Sequence, residues 1–361
     1  MDRVIYSPMK YVQGEGAWQR LHEYAAALGQ KGAYAVAGPH VLEHYWSDVE
    51  KGFKEANFPL HAHRFAGECS MNEINRIVNE LREENCDVII GIGGGKTLDT
   101  AKAVGFYANL PVIIAPSIAS TDAPCSALSV IYTDEGAFES YLFLRNNPNV
   151  VLVDTAVIAR SPVRMLVAGM GDALATYYEA RACFNSGGRT TAGGRSSLSA
   201  LAVARACRDS LFKNGLRAKL AAEAKTVSSA LDDIVETNTY MSGIGFESGG
   251  LAAAHAIHNG LTVLPGVHHA MHGEKVSFGL LAQLVLENAP QDEFKQVLDF
   301  CREVGLPTNL AALGLTDVSD GDLMKAARAA CAESETIHNM PFKVTPEAVF
   351  SAMRVADRLG S

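Results

Sequence analysis

The stretch AAAHAIHNGLTVLPGVHHAMHGEK, Ala252 to Lys275, holds five of the chain's 11 histidines: His255, His258, His268, His269 and His272. Imidazole binds divalent zinc and iron, usually beside a carboxylate, and a catalytic metal keeps one coordination position open. His255 and His258, three apart on a predicted helix, share roughly one face. His268, His269 and His272 open the next predicted helix, after the Pro265-Gly266 break. One histidine from each helix can then meet in a cleft between domains, and the spacing leaves open which. The best candidate for a third ligand is Asp172 in GMGDALATYYEA (Gly169–Ala180), read as standing in the first turn of a helix after a glycine. An N-cap carboxylate without a metal would look the same.

A second constellation is GIGGGKTLDTAK, Gly91 to Lys102, between a predicted strand and a predicted helix. Without Cβ atoms, Gly93, Gly94 and Gly95 let a ligand approach the backbone closely. The helix start near Lys96 and Thr97 offers unpaired N–H groups and the positive end of the helix dipole. Together they make a pyrophosphate cradle, although the spacing matches neither the usual dinucleotide fingerprint nor a P-loop. A tight turn without ligand is the plainer alternative. The second strand ends Gly38-Pro39-His40, without the carboxylate that usually holds a dinucleotide ribose. No Arg or Lys lies between Gly32 and Glu50 to hold the extra phosphate of NADP, which favours NAD.

The elements that must position these groups change character along the chain. Ala33–Gly38, Leu60–Phe65, Asp87–Ile92, Pro111–Ser117 and Asn149–Thr155 read as strands. Between them lie helical segments, one running to about Ala56, then Met71–Glu84 and Thr97–Ala108. Ser70 and Glu73 form a capping-box pattern at the start of the second. Such alternation predicts a parallel sheet covered on both faces. Leu128–Leu144, broken at Asp134-Glu135-Gly136, predicts a β-hairpin. From about Ser161 onward the chain is rich in Ala and Leu, with Gly-rich turns at 187–188, 193–194 and 249–250. The expected organisation is an α/β nucleotide-binding domain, 1–160, and an all-α domain, 161–361, carrying the metal and substrate.

A chain of 361 residues, 48% hydrophobic, can bury the cores of two domains. A net charge of −9 without a dense Lys/Arg stripe argues against nucleic acid. Seven scattered cysteines with no CxxC pair fit reduced thiols. The start MDRVIYSPMKYVQGEGAW lacks a secretory pattern, and no apolar run reaches the about 18 residues of a membrane span. A cytoplasmic location is expected.

GIGGGKTLDTAKA, PSIASTDAPCSALSVIYTDEG, VAGMGDALATYYEAR, GFESGGLAAAHAIHNGLT, HGEKVSFG and ETIHNMP together resemble the iron-containing (group III) alcohol dehydrogenase family, from MDRVIYSPMKYVQG almost to the last residue. The resemblance implies a dehydroquinate synthase-like fold and, from the glycerol-oxidising branch, NAD-linked conversion of glycerol or a related vicinal diol to dihydroxyacetone or its counterpart, with one zinc per subunit. The family's metal ligands fall on Asp172, His255 and His272. Its nucleotide contacts fall on Gly95, Lys96, Ser117, Ser120, Ser126, Leu128 and Tyr132, beside Gly93 and Gly94 of the loop. Its substrate carboxylate falls on Asp122, for which an Asx turn before Pro124 is the lesser alternative. Homo-oligomers, often octamers, are implied as well.

Two positions depart from the pattern. Thr176 stands where many iron-type relatives have a fourth, histidine ligand, which suits a three-ligand zinc site. Pro39 stands where close relatives have a ribose-binding aspartate, which bears on NAD affinity and on discrimination against NADP. Two rival readings keep some of this picture. A dehydroquinate synthase-like lyase would need several cations around Asp122 and His255–His272, where Lys275 is the main one. A metal-stabilised nucleotide sensor would bind NAD without reducing it.

Overall fold

Val88–Gly93, VIIGIG, is buried at every position, as a strand covered on both faces must be. It is central to a six-stranded, all-parallel sheet in a computed structural model that describes residues 2–65 and 67–361. The strands are β1 (Lys10–Gly14), β2 (Ala33–Ala37), β3 (Leu60–Arg64), β4 (Val88–Gly93), β5 (Val112–Pro116) and, after an antiparallel hairpin of β6 (Leu128–Tyr132) and β7 (Phe138–Phe143), β8 (Val150–Asp154). Their order is β1-β8-β5-β4-β2-β3. The predicted strands and hairpin are all present, and β1, whose KYVQG carries too little apolar signal to read, adds an edge. The helices of this half are α1 (Leu21–Leu28), α2 (Pro39–His44), α3 (Trp46–Glu55), α4 (Met71–Glu83) and α5 (Gly95–Ala108). The Ser70 hydroxyl caps α4 as expected, but the Glu73 carboxylate turns to Arg76 and His63 instead of closing the capping box.

Every element after β8 is helical: α6 (Thr155–Arg160), α7 (Val163–Ser186), α8 (Leu198–Glu223), α9 (Ser229–Glu236), α10 (Ser242–Gly249), α11 (Ala253–Leu261), α12 (His272–Leu286), α13 (Gln291–Val304), α14 (Asp320–Ala330) and α15 (Pro346–Gly360). The architecture is thus an N-terminal parallel-sheet α/β domain followed by a helical C-terminal region. One apolar cluster covers a single face of the sheet and includes Trp18, Phe53 and Ile90. The other runs without interruption from Val36, Ile89 and Ile114 into Leu174, Ile257 and Phe278 of the helices. Among the described residues no helix is long and apolar enough to cross a membrane.

Small residues let α7, α11 and α12 touch backbone to backbone. A Cβ on Gly273 would lie 1.8 Å from the Ala168 carbonyl oxygen, and one on Gly171 would lie 2.4 Å from that of Gly273. A Cβ on Gly279 would lie 2.3 Å from the Ala254 carbonyl oxygen. The high Ala and Gly content therefore sets how close the helices come. Asp172 is an interior residue of the 24-residue α7, not a first-turn residue, because Gly171 serves helix packing and not helix initiation.

Gly273→Ala is expected to lower the free energy of unfolding by about 1–3 kcal/mol, since a Cβ there must push α7 and α12 away from each other. Gly95→Ala, facing open space, should be near neutral. Urea unfolding followed by circular dichroism checks both; an unshifted Gly273→Ala midpoint would show that the contact can open freely.

Candidate metal and dinucleotide site

Asp172 from α7, His255 from α11 and His272 from α12 converge, each offering one ligand atom, with those atoms all within 4.8 Å of one another. Asp172 is fully buried, and His255 Nε2 and His272 Nε2 lie 3.3 and 3.0 Å from its Oδ1. That oxygen has no hydrogen-bond partner, while Oδ2 accepts from the Asp122 N–H at 3.3 Å. A buried anion with an unpaired oxygen facing two imidazole nitrogens fits a zinc-type cation well. Burial pushes the Asp172 pKa up, but the adjacent His272 and His255 more than offset this and hold it well below the usual carboxylate range.

Local structure explains the aim of each ligand. The N-cap of α11 is Ala252, which has no side-chain oxygen. Its free N–H groups are taken instead by buried side chains from other helices. Glu179 Oε1 accepts from Ala252 and His255 at 2.8 and 3.0 Å, and Gln283 Oε1 from Ala253 and Ala254 at 3.1 and 2.9 Å. The other Glu179 oxygen accepts from His255 Nδ1–H at 2.5 Å, which turns Nε2 toward Asp172. Burial pushes the His255 pKa down, but Glu179 and Asp172 together carry it well above the usual histidine value. His272 is the first residue of α12, whose start is fixed by Glu274. That carboxylate accepts from the Met271 N–H at 2.7 Å and from the Arg164 guanidinium at 2.7 and 2.8 Å.

Of the other clustered histidines, His258 is buried against His272, whereas His268 and His269 are exposed in the turn before α12. Burial, then the nearby His272 and Lys275, holds the His258 pKa well below the usual value.

Asp122 stands beside the triad. Burial and the neighbouring Asp172 charge raise its pKa well above the usual value, against a lowering by Ser242. The Ser242 hydroxyl donates to Asp122 Oδ2 at 2.7 Å and must then accept from the Thr176 hydroxyl at 2.8 Å. Thr176 therefore steers Asp122 through Ser242.

The glycine loop lies at the C-terminal end of β4. A Cβ on Gly93 would press on Thr97 at 3.0–3.1 Å, whereas Gly94 meets only Ile118 at 3.5 Å and Gly95 nothing within 4 Å. The start of α5 has no side-chain cap, so its free N–H groups face that open space. Lys96 ion-pairs with Glu68 at 2.5 Å and lies 5.2 Å from the centre of the Tyr132 ring. The Ser117 N–H donates to the Gly93 carbonyl at 2.9 Å, binding the β5 loop to the glycine loop. Ser120 is half-buried on the same loop. Ser126 is buried, its hydroxyl donating to Ala123 at 3.0 Å, and Leu128 begins β6 with its carbonyl accepting from Lys102. Pro39 opens α2 at the end of β2, across from the loop.

Sequence reasoning missed Glu179, Ser242 and Glu247, the last of which accepts from the Ala127 N–H at 2.8 Å just before Leu128. Glu179 had a readable signal, since it follows Asp172 by seven residues and so falls on the same helix face two turns on. Ser242 and Glu247 act across the tertiary structure and leave no local trace.

The family profile described as iron-containing alcohol dehydrogenase matches residues 8–155. A glycerol dehydrogenase of Citrobacter freundii is 54% identical over 360 residues, covering 100% of this chain and 98% of its own. The chain belongs to the iron-containing alcohol dehydrogenase family. A second family member, a glycerol dehydrogenase of Pseudomonas putida, is 52% identical over 360 residues with the same coverage, 100% and 98%. The crystal structure of the Schizosaccharomyces pombe glycerol dehydrogenase superposes with a TM-score of 0.96 at 41% identity, covering 99% of this chain and 91% of that one.

Within this family member, Ser242→Ala and Thr176→Ala should each cost about 1–3 kcal/mol by leaving a buried polar partner unpaired. Because both act on one chain of hydrogen bonds, the double variant should lose less than the sum. Denaturant titration of the three proteins decides it; strict additivity would mean that the hydroxyls are independent.

Proposed function

We propose that this enzyme oxidises glycerol and related vicinal diols, glycerol yielding dihydroxyacetone, with NAD as acceptor and zinc held by Asp172, His255 and His272. The observation that carries the reading is the buried, unpaired Asp172 oxygen facing two imidazoles beside an open glycine cradle. End-to-end similarity to glycerol dehydrogenases supports the substrate. Bound at these side chains, zinc supplies a Lewis acid that lowers the pKa of an alcohol at the site, and NAD in the cradle supplies the hydride acceptor.

The chain's own residues do the rest. Asp172 contributes the negative charge of the ligand set, and Glu179 keeps His255 aimed with Nε2 inward. Asp122 has Oδ2 committed to Ser242, so its other oxygen is the group offered to a substrate hydroxyl. A vicinal diol presents two neighbouring hydroxyls, matching an enzyme that offers both a ligand triad and a separate carboxylate. Gly94, Gly95, Lys96, Ser117, Ser120, Ser126, Leu128 and Tyr132, with Gly93 shaping the turn, form the proposed coenzyme wall, and holding both reactants there makes the transfer effectively unimolecular. The chain is read as two domains joined near residue 160, acting in the cytoplasm as a homo-oligomer. A phosphate-eliminating lyase is disfavoured because the nearby cations are already engaged: Lys275 with the Ala270 carbonyl at 3.1 Å and Arg164 with Glu274.

NADH formation by the purified protein across a panel of diols, with and without chelator and added zinc, tests the reading directly. Turnover that ignores the chelator, or no diol oxidised with zinc present, would reject it. His272→Ala should abolish zinc retention and turnover while the circular dichroism spectrum stays native; an active, metal-free variant would remove His272 from the site. Asp122→Asn should raise the KM for glycerol severalfold, in line with a weakened hydrogen bond to a substrate hydroxyl. Unchanged kinetics would reject that contact.

A further inference from the structure

His255 Nδ1 meets a carboxylate, Glu179, whereas His272 Nδ1 meets none, and the His272 side chain is 37% exposed. A neutral imidazole carries its proton on either nitrogen, and only the Nδ1–H form leaves the Nε2 lone pair for a metal. What fixes that choice is a line of contacts leading away from the triad. His272 Nδ1 lies 3.1 Å from His258 Nε2, His258 Nδ1 lies 2.9 Å from Asn259 Oδ1, and Asn259 Nδ2 lies 3.0 Å from Glu335 Oε2.

The polarity of this line is set at its far end. A carboxylate accepts, so the Asn259 NH2 must face Glu335, which turns Oδ1 toward His258. That oxygen accepts only, so His258 places its proton on Nδ1 and leaves Nε2 as an acceptor. His272 Nδ1 must then donate, which makes Nε2, 3.0 Å from Asp172 Oδ1, the nitrogen available to a metal. Glu335 is itself fixed, because Thr336 Oγ1 donates to the Ala252 carbonyl at 2.8 Å and Asn339 Nδ2 to that of Leu251 at 2.9 Å, docking the ETIHNMP segment on the start of α11.

We propose that Glu335, Asn259 and His258 are positioning residues: a hydrogen-bond relay that locks His272 in its metal-binding tautomer. The proposal rests on the reading of Asp172, His255 and His272 as the zinc site. It gives the two histidine ligands different support, a direct carboxylate for His255 and one relayed through an amide and an imidazole for His272.

Zinc affinity measured by competition with a chromophoric chelator tests it, together with 15N chemical shifts of the His272 ring in the zinc-free protein. His258→Leu and Asn259→Leu should each weaken zinc binding about 10–100-fold, the usual effect of losing an outer support. In both, the His272 shifts should move toward a mixture of tautomers. His258→Gln, which can accept from His272 and donate to Asn259, should stay close to the wild type by both measures. The Asn259 side chain bonds to His258 and Glu335 and to none of the three ligands, so its effect cannot come from losing a ligand, and it keeps the test alive if His258→Leu does not fold. Wild-type affinity and shifts in Asn259→Leu, or equal losses in the Leu and Gln variants of His258, would overturn the relay while leaving the zinc site standing. Failure of the wild type to take up zinc, with His255→Ala no different, would overturn both.

Discussion

A carboxylate stripped of water, with one oxygen given no hydrogen to accept, is the constraint around which the helical region is organised. An uncompensated buried charge costs several kcal/mol, so such a group persists only where a cation or a strong set of donors can meet it. Here the possible partners are two imidazoles, on helices that follow Asp172 in sequence by more than 80 residues. Bringing three backbones that close demands residues without side-chain bulk at the crossings, and Gly171, Gly273 and Gly279 occupy them. Packing and chemistry are therefore one requirement here: a bulkier crossing would be a larger site, and a larger site would leave the carboxylate without its cation.

This explains which features were readable in the sequence. The sheet was legible because a strand buried on both faces is a run of apolar residues, and the glycine loop because consecutive glycines stand between a strand and a helix. Asp172 was legible as a residue type but was assigned to a helix start, since glycine is an ambiguous sign. It marks a chain break when exposed and a helix contact when buried, and Gly171 is the second kind. The choice of His255 and His272 from five histidines was not available from spacing, because it depends on the crossing of α11 and α12 rather than on either helix. The resemblance to the iron-containing family supplied it. Supporting groups such as Ser242 stayed hidden, since their partners lie far along the chain.

Thr176 shows how one substitution can redirect a site. A histidine there would extend from the same helix one turn after Asp172, where it could add a ligand. The shorter threonine is fully buried and bonds to Ser242 instead, so the hydroxyl pair serves Asp122. The position is spent here on orienting a carboxylate.

The link between glycine loop and triad runs through the segment from Ser117 to Leu128, which follows β5 and carries Asp122 among the residues of the proposed coenzyme wall. Each side of the molecule holds it by a different means. From α5, the helix that begins at the cradle, buried Lys102 pairs with Asp99 at 2.9 Å and donates to the Ala123 and Leu128 carbonyls. From the helical region, Glu247 accepts from the Ala127 N–H at 2.8 Å and Asn238 donates to the Ala119 carbonyl at 3.1 Å. Gly169 lets α7 approach so closely that a Cβ there would lie 2.0 Å from that same carbonyl oxygen. A segment clamped from both halves cannot shift toward one without dragging on the other. Buried polar contacts along a single stretch of backbone thus tie the glycine loop to Asp172, and the two constellations found separately in the sequence are joined by one segment.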